Sequence, residues 1–217
     1  MAASLITALS AVRIHSTAIV EPDVQIGPGT AIWDSVHIRH SATIGAECIV
    51  GEKSYIAPAV HIGNRVKINA FVYICSDVTI EDGVMISAGV IFTNDRYPRA
   101  TTPDLQQLRS SEPDEHTLPT LVSEGATIGA GSRIGCGLTI GRFAMIGMGS
   151  VVTKSIPDFT LVLGTPARNV GYVCRCGHPV LRFDHRSAPR SAELQCDLCG
   201  RSYHLRTGLI SEPAALA

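Results

Sequence analysis

The chain is poor in charged and aromatic residues. Charged residues make up 17% and aromatic residues 5% of its 217 residues, so the charged share is well below that of an ordinary globular domain. The formal net charge is −1, which offers no basic surface to a polyanion and argues against nucleic acid as a partner. The apolar stretch SLITALSAV near the N-terminus has no basic residue before it and is too short to cross a bilayer. We therefore expect a soluble cytoplasmic protein without a membrane partner.

A six-residue period runs through most of the sequence. Stepping by six from Ile14 to Phe92 finds Ile or Val at thirteen of fourteen positions, and the period resumes from Val122 to Val152. The residue four places after each is mostly small or β-branched, and the slots between them are rich in Gly, Pro, Asn and Asp. These offsets match no helical face, whereas a short strand followed by a tight corner satisfies them.

Three such sides, closed into a triangular coil, would place every third hexad above its predecessor at about 4.8 Å. The core would then be a stack of Ile and Val in a one-dimensional solenoid. This pattern resembles the hexapeptide-repeat acyltransferases over residues 14–170, and the resemblance implies a left-handed parallel β-helix. We predict an all-β protein with a β-helix domain at 1–170, a loop inserted at 93–121, and a C-terminal zinc-ribbon-like segment at 171–217.

The inserted loop begins with the polar sequence TNDRYPR directly after Phe92. Long loops in compact domains are usually functional or disordered. An amide, a carboxylate, two arginines and an aromatic ring close together suit a polar, phosphate-bearing ligand. A merely solvated insertion is the alternative interpretation. On composition, we predict that Asp95, Tyr97 and Arg99 contact substrate.

Three motifs narrow the resemblance. They are FTNDRYPRA (92–100), GTAIWDSVHI (29–38) and LVLGTPARNVGYVCRCG (161–177). Together they resemble the N-acetyltransferases that act on nucleotide-linked (dTDP- or UDP-) 3-amino sugars with acetyl-CoA. The resemblance implies that Asn94 lies at the acceptor amine and that Arg99 contacts the charged part of the acceptor. Ser76 stands where members of this group often have Glu, which leaves the identity of the sugar open.

Acetyl transfer to an amine does not require a strong base. An amino group flanked by electron-withdrawing oxygens titrates near about 8, so part of it is already neutral. Positioning and oxyanion stabilisation by Asn94 or a backbone N–H would supply much of the rate. If a general base is used, the candidates are His37, His40 and His61, and we place His37 first because it occupies the His of the IWxxxHI stretch. Trp33 would stack on a ligand or pack on a neighbouring subunit.

The resemblance also implies where coenzyme A binds. The closing motif GTPAR supplies Pro166 and Arg168, and Lys154 is expected at the pyrophosphate or ribose. Gly147 and Gly149 would let the cofactor approach the backbone closely. In this family the cofactor groove lies between two β-helices, so a homotrimer is implied.

Four of the seven cysteines are crowded near the C-terminus. Cys174 and Cys176 form one pair and Cys196 and Cys199 another, and two such pairs suit a structural, tetrahedral Zn²⁺. A redox pair or unmetallated thiols are the alternatives. We expect zinc to stabilise a segment too short to bury much core.

Three other functions compete with amino-sugar acetylation. An acyltransferase using a longer acyl-CoA, or another small amine or hydroxyl acceptor, would share the same fold. A carbonic anhydrase would need three His meeting across subunits, and the repeat has no suitable His beyond His61 except loop residue His116. A non-catalytic β-helix with a zinc-ribbon docking module would release no thiol with any amino sugar.

Overall fold

The hexads form short strands separated by tight corners. The computed structural model describes residues 11–184 and 189–213, so the first ten residues of the predicted β-helix domain lie outside the described residues. The strands in chain order are β1 (Arg13–Ile14), β2 (Ile19–Val20), β3 (Gln25–Ile26), β4 (Ala31–Ile32), β5 (His37–Ile38), β6 (Thr43–Ile44), β7 (Ile49–Val50), β8 (Tyr55–Ile56), β9 (His61–Ile62), β10 (Lys67–Ile68), β11 (Tyr73–Ile74), β12 (Val78–Ile80), β13 (Met85–Ile86), β14 (Ile91–Phe92), β15 (Thr120–Val122), β16 (Thr127–Ile128), β17 (Arg133–Ile134), β18 (Thr139–Ile140), β19 (Met145–Ile146), β20 (Val151–Val152), β21 (Thr160–Leu163), β22 (Arg168–Val173), β23 (Pro179–Arg182), β24 (Ser191–Gln195), β25 (Ser202–Arg206) and β26 (Leu209–Ser211). Within the described ranges no helix is long and apolar enough to span a bilayer.

From β1 to β20, successive strands belong in turn to three sheets in which they pair in parallel. The first side has the order β1-β4-β7-β10-β13-β16-β19-β21-β22-β23, the second side β2-β5-β8-β11-β14-β17-β20, and the third side β18-β15-β12-β9-β6-β3. Partners such as Ile14 and Ile32 are 18 residues apart, so three hexads make one coil. The prediction of an all-β, three-sided parallel β-helix is confirmed.

The core is the stack that the hexads predict. Ile38, Ile56 and Ile74 on the second side are fully buried, as are Val36 and Val60 in the small-residue slots. Each parallel ladder keeps like residues in register, as in Ile68 beside Ile86. Exposed apolar side chains occur on the first coil, which has no coil above it among the described residues. The stability of this solenoid is therefore approximately a sum of contributions from single coils and from the interfaces between neighbouring coils.

Most corners contain a residue in the left-handed backbone region. Glycine occupies this position at some corners, as at Gly131 (φ 70°), but larger residues hold it at others, including Phe71 (φ 59°). A positive φ costs a non-glycine residue about 1–2 kcal/mol. The coil geometry thus imposes this conformation even where the sequence offers no glycine.

Three edges separate the sides and are named here by their residues. The Trp33 edge, between the first and second sides, carries Trp33 and Gly149. The loop edge, between the second and third sides, carries Asn94, from which the insertion departs. The ribbon edge, between the third and first sides, carries Phe143 and faces the C-terminal segment.

The C-terminal segment continues the first side before forming its own sheet. Strand β22 pairs antiparallel with β21, and β23 pairs with β22. Strands β24, β25 and β26 form a separate antiparallel sheet. The predicted boundary at residue 170 falls inside β22, and the division into two domains stays a prediction.

Candidate functional site

The loop edge contains a groove that ends at Asn94. Its base follows one corner position down four successive coils, occupied by His40, Pro58, Ser76 and Asn94. The groove has a volume of about 500 Å³. Because strands in a ladder are about 4.8 Å apart, His40 and Asn94 lie about 14 Å apart along the prism axis. The groove is long enough for an extended ligand.

The inserted loop forms the outer wall of this groove. Ser111, Glu112 and Pro113 line it opposite the coil corners. The loop turns back on itself through an antiparallel bridge between Asp95 and Thr117, and Leu118 donates its N–H to the carbonyl of Asn94 at 2.9 Å. Strand β15 begins at Thr120, so the parallel ladders resume slightly earlier than the predicted loop end at residue 121. The polar insertion thus builds an enclosure around Asn94.

A ladder of aromatic rings stands beside the groove on the second side. Tyr55 and Tyr73 are stacked with ring centroids 5.0 Å apart, and His37 meets Tyr55 edge-on at 5.5 Å. Both tyrosines line the groove, and Tyr73 remains 44% exposed. Desolvation raises the pKa of Tyr73, so its hydroxyl stays protonated at neutral pH. The ladder offers a flat, partly apolar surface with hydrogen-bonding tips.

A charged network fixes the upper end of the groove. Arg39 Nε lies 2.6 Å from Glu21 Oε1, and Arg39 Nη1 donates to the Tyr55 hydroxyl at 2.9 Å. His37 Nε2 lies 2.8 Å from the same Glu21 oxygen. The Arg39 guanidinium, with the His37 imidazole and the His40 N–H, outweighs partial desolvation and lowers the pKa of Glu21 to about 2. Glu21 is therefore ionised and holds the Arg39 and His37 side chains in place.

The three histidine candidates occupy different positions relative to Asn94. His40 lines the groove with Asn94. His37 lies on β5, three ladder steps or about 14 Å from β14, and its Nε2 is engaged by Glu21. His61 lies on the third side, where Nδ1 is 2.8 Å from Thr43 Oγ1. Within one chain, His37 and Asn94 cannot contact the same reacting nitrogen.

The other predicted substrate residues lie outside the groove within this chain. Asp95 accepts a hydrogen bond from the Tyr97 N–H, and the exposed Tyr97 ring meets His116 edge-on. Arg99 is exposed and donates to the carbonyl of Pro98. Trp33 is 52% exposed on a different edge. Their roles as ligand contacts stay predictions.

The predicted cofactor residues divide between two edges. Lys154 follows β20 on the loop edge, two ladder steps beyond Asn94. Pro166 and Arg168 lie at the Trp33 edge, as do the two glycines. A Cβ on Gly147 would lie 1.9 Å from Leu163 Cδ2, whereas Gly149, with φ 69°, has open space around it. Internal packing thus accounts for Gly147, while Gly149 leaves the backbone open to an approaching ligand.

Sequence reasoning missed several groove residues. Arg39, Tyr55 and Tyr73 were not predicted as site residues, although an 18-residue recurrence at the outward slot aligns His37 with both tyrosines. The groove also contains Cys75, whose pKa burial raises to about 12. Cys75 is therefore a protonated thiol and not a nucleophile.

The four C-terminal cysteines converge at one point. Their Sγ atoms all lie within 4.8 Å of one another. Cys174 and Cys199 Sγ are 3.3 Å apart, and Cys176 and Cys196 Sγ are 3.7 Å apart. A tetrahedral ion with bonds of about 2.3 Å to four sulfurs requires sulfur separations near about 3.8 Å. The cluster therefore has the size and donor set of a closed Zn²⁺ site.

Hydrogen bonds orient the cluster. The Tyr203 hydroxyl donates to Cys174 Sγ at 3.0 Å. Burial opposes ionisation of Cys174, but the Cys176 N–H and the Tyr203 hydroxyl outweigh it and lower the pKa of Cys174 to about 7. Gly177 and Gly200 have positive φ and donate their N–H groups back to the carbonyls of Cys174 and Cys196. Each cysteine pair is thus held in a tight knuckle.

Comparison with known families supports the repeat assignment. Residues 23–58 and 59–94 match the model for the bacterial transferase hexapeptide (six repeats). Residues 41–76 and 119–154 match that for the hexapeptide repeat of succinyl-transferase. The chain is a hexapeptide-repeat protein. This assignment confirms the predicted resemblance and, with it, the left-handed β-helix fold class.

Individual relatives of this hexapeptide-repeat protein include sugar acetyltransferases. It is 43% identical over 93 residues to dTDP-3-amino-3,6-dideoxy-alpha-D-galactopyranose 3-N-acetyltransferase of Aneurinibacillus thermoaerophilus, covering 43% of this chain and 44% of that protein. It is 29% identical to galactoside O-acetyltransferase of Lactococcus lactis subsp. lactis, covering 71% of this chain and 70% of that protein. The first match confirms the resemblance to 3-amino-sugar N-acetyltransferases, although the chain spans less than half of that relative's length.

Among solved structures, the chain resembles a mutant of AntD, an N-acyltransferase from Bacillus cereus, in complex with dTDP and coenzyme A. The identity is 18%, the TM-score is 0.47, and the match covers 81% of this chain and 91% of that chain.

Proposed function

We propose that this hexapeptide-repeat protein is an N-acetyltransferase that moves an acetyl group from acetyl-CoA to the amino group of a dTDP- or UDP-linked 3-amino sugar. The observation that carries the proposal is the groove of the loop edge, where the inserted segment encloses Asn94. The 43% identity to an enzyme named for this reaction supports it. The protein would act in the cytoplasm, as its sequence predicts.

The groove residues suit an uncharged amine as nucleophile. The amine nitrogen would attack the thioester carbonyl carbon, and Asn94 would stabilise the developing oxyanion or position the amine. When the carbon–sulfur bond breaks, the leaving thiolate takes the surplus proton, because its pKa is close to that of the amine. His40 lies about 14 Å along the groove from Asn94, as far away as His37, so within one chain neither histidine can take the proton of an amine held at Asn94. His37 would act instead as part of the Glu21 network.

The acceptor would lie along the groove from Asn94 toward Arg39. Its sugar and phosphates would pass Ser76 and Tyr73, and its base would reach the Tyr55 ring and the Arg39 guanidinium. A pyrimidine nucleotide offers both a stacking face and carbonyl acceptors for these groups. All five of these residues line the groove.

The acceptor and cofactor residues predict an assembly of several copies. Asn94 lies on the loop edge, while Pro166 and Arg168 lie on the Trp33 edge across the second side. A rigid prism cannot bring its own two edges together. We therefore infer a homotrimer in which the Trp33 edge of one subunit faces the loop edge of the next. Sedimentation equilibrium should give a trimeric mass, and a monomeric mass at micromolar concentration would contradict this arrangement.

Thiol release tests the activity directly. The purified chain should release free thiol from acetyl-CoA when supplied with one member of a panel of dTDP- and UDP-linked 3-amino sugars. The same nucleotides carrying a 3-hydroxyl sugar provide the matched control, and longer acyl-CoA donors test the chain length. Release with the hydroxyl sugars alone would identify an O-acyltransferase, and no release with any acceptor would refute an acyltransferase.

The four cysteines are proposed to hold one structural Zn²⁺ per chain. The donor set is all thiolate, and a closed shell of four leaves no position for substrate. Metal analysis of the full chain should find one zinc, and the Cys196→Ser/Cys199→Ser variant should lose it. Unchanged zinc content in that variant would overturn the assignment.

A further inference from the structure

The cysteine cluster joins two sheets that share no strand. Cys174 and Cys176 follow β22, which belongs to the first side of the β-helix. Cys196 and Cys199 follow β24, which belongs to the separate three-stranded sheet. An ion held by all four sulfurs would therefore crosslink the β-helix to this small sheet.

Arg175, between the two cysteines of the first knuckle, contacts the β-helix. Its guanidinium carbon lies 4.4 Å from the centroid of the Phe143 ring on the ribbon edge, within the range of a cation–π interaction. Its Nη2 lies 3.8 Å from Glu124 Oε1 on the same edge, and its Nη1 lies 3.6 Å from Glu212 Oε2 beyond β26. One side chain thus bridges the ribbon edge, the metal knuckle and the chain that leaves the small sheet.

A chain of aromatic contacts runs in parallel to Arg175. The Phe143 and Phe159 rings are stacked at 5.4 Å, and Phe159 meets Tyr203 at 5.4 Å. Tyr203 is fully buried, and its hydroxyl donates to Cys174 Sγ while accepting from the Arg175 N–H at 3.0 Å. The last coil, the small sheet and the cysteine cluster therefore share one packed core.

Within the described residues, a hydrogen bond and a small apolar cluster also join the two sheets. Tyr172 donates its hydroxyl to the carbonyl of Gly208 at 2.8 Å. The apolar cluster around Phe159, Tyr172 and Leu205 is small beside the β-helix core. A sheet of three short strands is marginal by itself in water. Its position on the β-helix should therefore depend on the metal and on the knuckle that the metal orders.

We propose that the metal fastens the three-stranded sheet to the last coils of the β-helix, with Arg175 as the docking contact, so that the ribbon is a metal-dependent cap. This inference rests on the proposed Zn²⁺ site. The cap covers Phe159 and Tyr172, which would otherwise present apolar surface at the end of the β-helix.

Hydrogen exchange of the full, zinc-loaded chain tests the cap. Arg175→Ala should retain one zinc yet exchange about tenfold faster over residues 139–163 and 191–211, because the docked state opens more often. Arg201→Ala removes a like charge from the exposed side of the second knuckle and should exchange as the wild type does. Removal of zinc by a chelator should accelerate the same two segments and leave residues 49–92 unchanged.

Two results would overturn these ideas separately. Wild-type protection in both zinc-loaded Arg175→Ala and the metal-free chain would refute the metal-dependent cap while leaving the zinc site intact. A wild-type chain that binds no zinc, even after zinc is added, would refute the metal site on which the cap rests.

Discussion

Replacement by alanine of two asparagines at coil corners should have different effects: one variant should lose stability and the other should lose turnover. The Asn64 side chain accepts the Ala46 N–H at 2.9 Å and donates to the Asp82 carboxylate at 3.2 Å. The Asn94 side chain lines the groove, and among the described residues no protein hydrogen bond holds its amide. One amide is used by the fold, whereas the other is free for a ligand.

The contacts of each asparagine give the expected size of the change in stability or in turnover. Asn64→Ala leaves the Ala46 N–H without its acceptor, which should reduce the free energy of unfolding by about 1–3 kcal/mol. It should leave turnover per folded chain unchanged. Asn94→Ala should lower turnover more than tenfold, equivalent to a barrier at least about 1.4 kcal/mol higher. Loss of an oxyanion donor can reach about 100- to 1000-fold.

The two variants need the same pair of measurements. Denaturant unfolding gives the stability of each chain, and thiol release from acetyl-CoA gives turnover with the accepted amino sugar. Sedimentation should show the same assembly for both variants. Wild-type turnover in Asn94→Ala would refute its role, and a large loss of stability in that variant would show that its amide serves the fold.

Three further changes test the physical basis of the fold. Ile86→Ala, in a fully buried layer, should reduce stability to unfolding by about 2–5 kcal/mol, whereas outward-facing Lys67→Ala should stay within about 0.5 kcal/mol; equal denaturation midpoints would contradict the core assignment. Gly125→Ala should lower the melting temperature more than Gly131→Ala does, because both glycines have positive φ but only a Cβ at residue 125 would lie 2.2 Å from a carbon of the Phe143 ring. Equal melting temperatures would show that the Phe143 ring moves freely. The pKa of Glu21 is lowered from 4.5 to about 2, so Glu21 stabilises the fold above pH 4.5 and loses this contribution as the pH falls through about 2. The melting temperature of Glu21→Gln should therefore approach that of the wild type as the pH is lowered over this range. A difference in melting temperature that stays constant with pH would contradict the network.

The repeat could be predicted from sequence because every layer of the β-helix uses the same six-residue pattern of buried and exposed positions. Buried Ile and Val recur every six residues, so the sides, the register and the core follow without any long-range information. The backbone conformations at the corners were harder to predict from the sequence. Phe71, Lys53 and Ala59 adopt positive φ, although their residue types favour other conformations, because the closed coil imposes that geometry. Tertiary structure here overrides local preference.

The candidate site was only partly predictable. The motif around Asn94 lies on the edge that carries the groove, but the groove wall comes from Ser111 to Pro113, where the sequence has no periodicity. Arg39 and Tyr73 could not be predicted as site residues because each occupies an ordinary position of its hexad. Their significance appears only when coils are stacked and outward positions 18 residues apart become neighbours. Folding of a long loop onto a regular surface leaves no comparable signal in the sequence.

The separation of the two edges leads to a test of the shared site by complementation. If Asn94 acts with Arg168 of a neighbouring subunit, chains carrying Asn94→Ala alone or Arg168→Ala alone should be impaired at every site. Co-expression of the two variants in equal amounts should form mixed trimers in which about a quarter of the interfaces combine an intact Asn94 with an intact Arg168. Turnover should then rise to about a quarter of the wild-type value by the same symmetry argument. Mixed assemblies, verified by two affinity tags, that remain as inactive as the separate variants would contradict a site shared between chains.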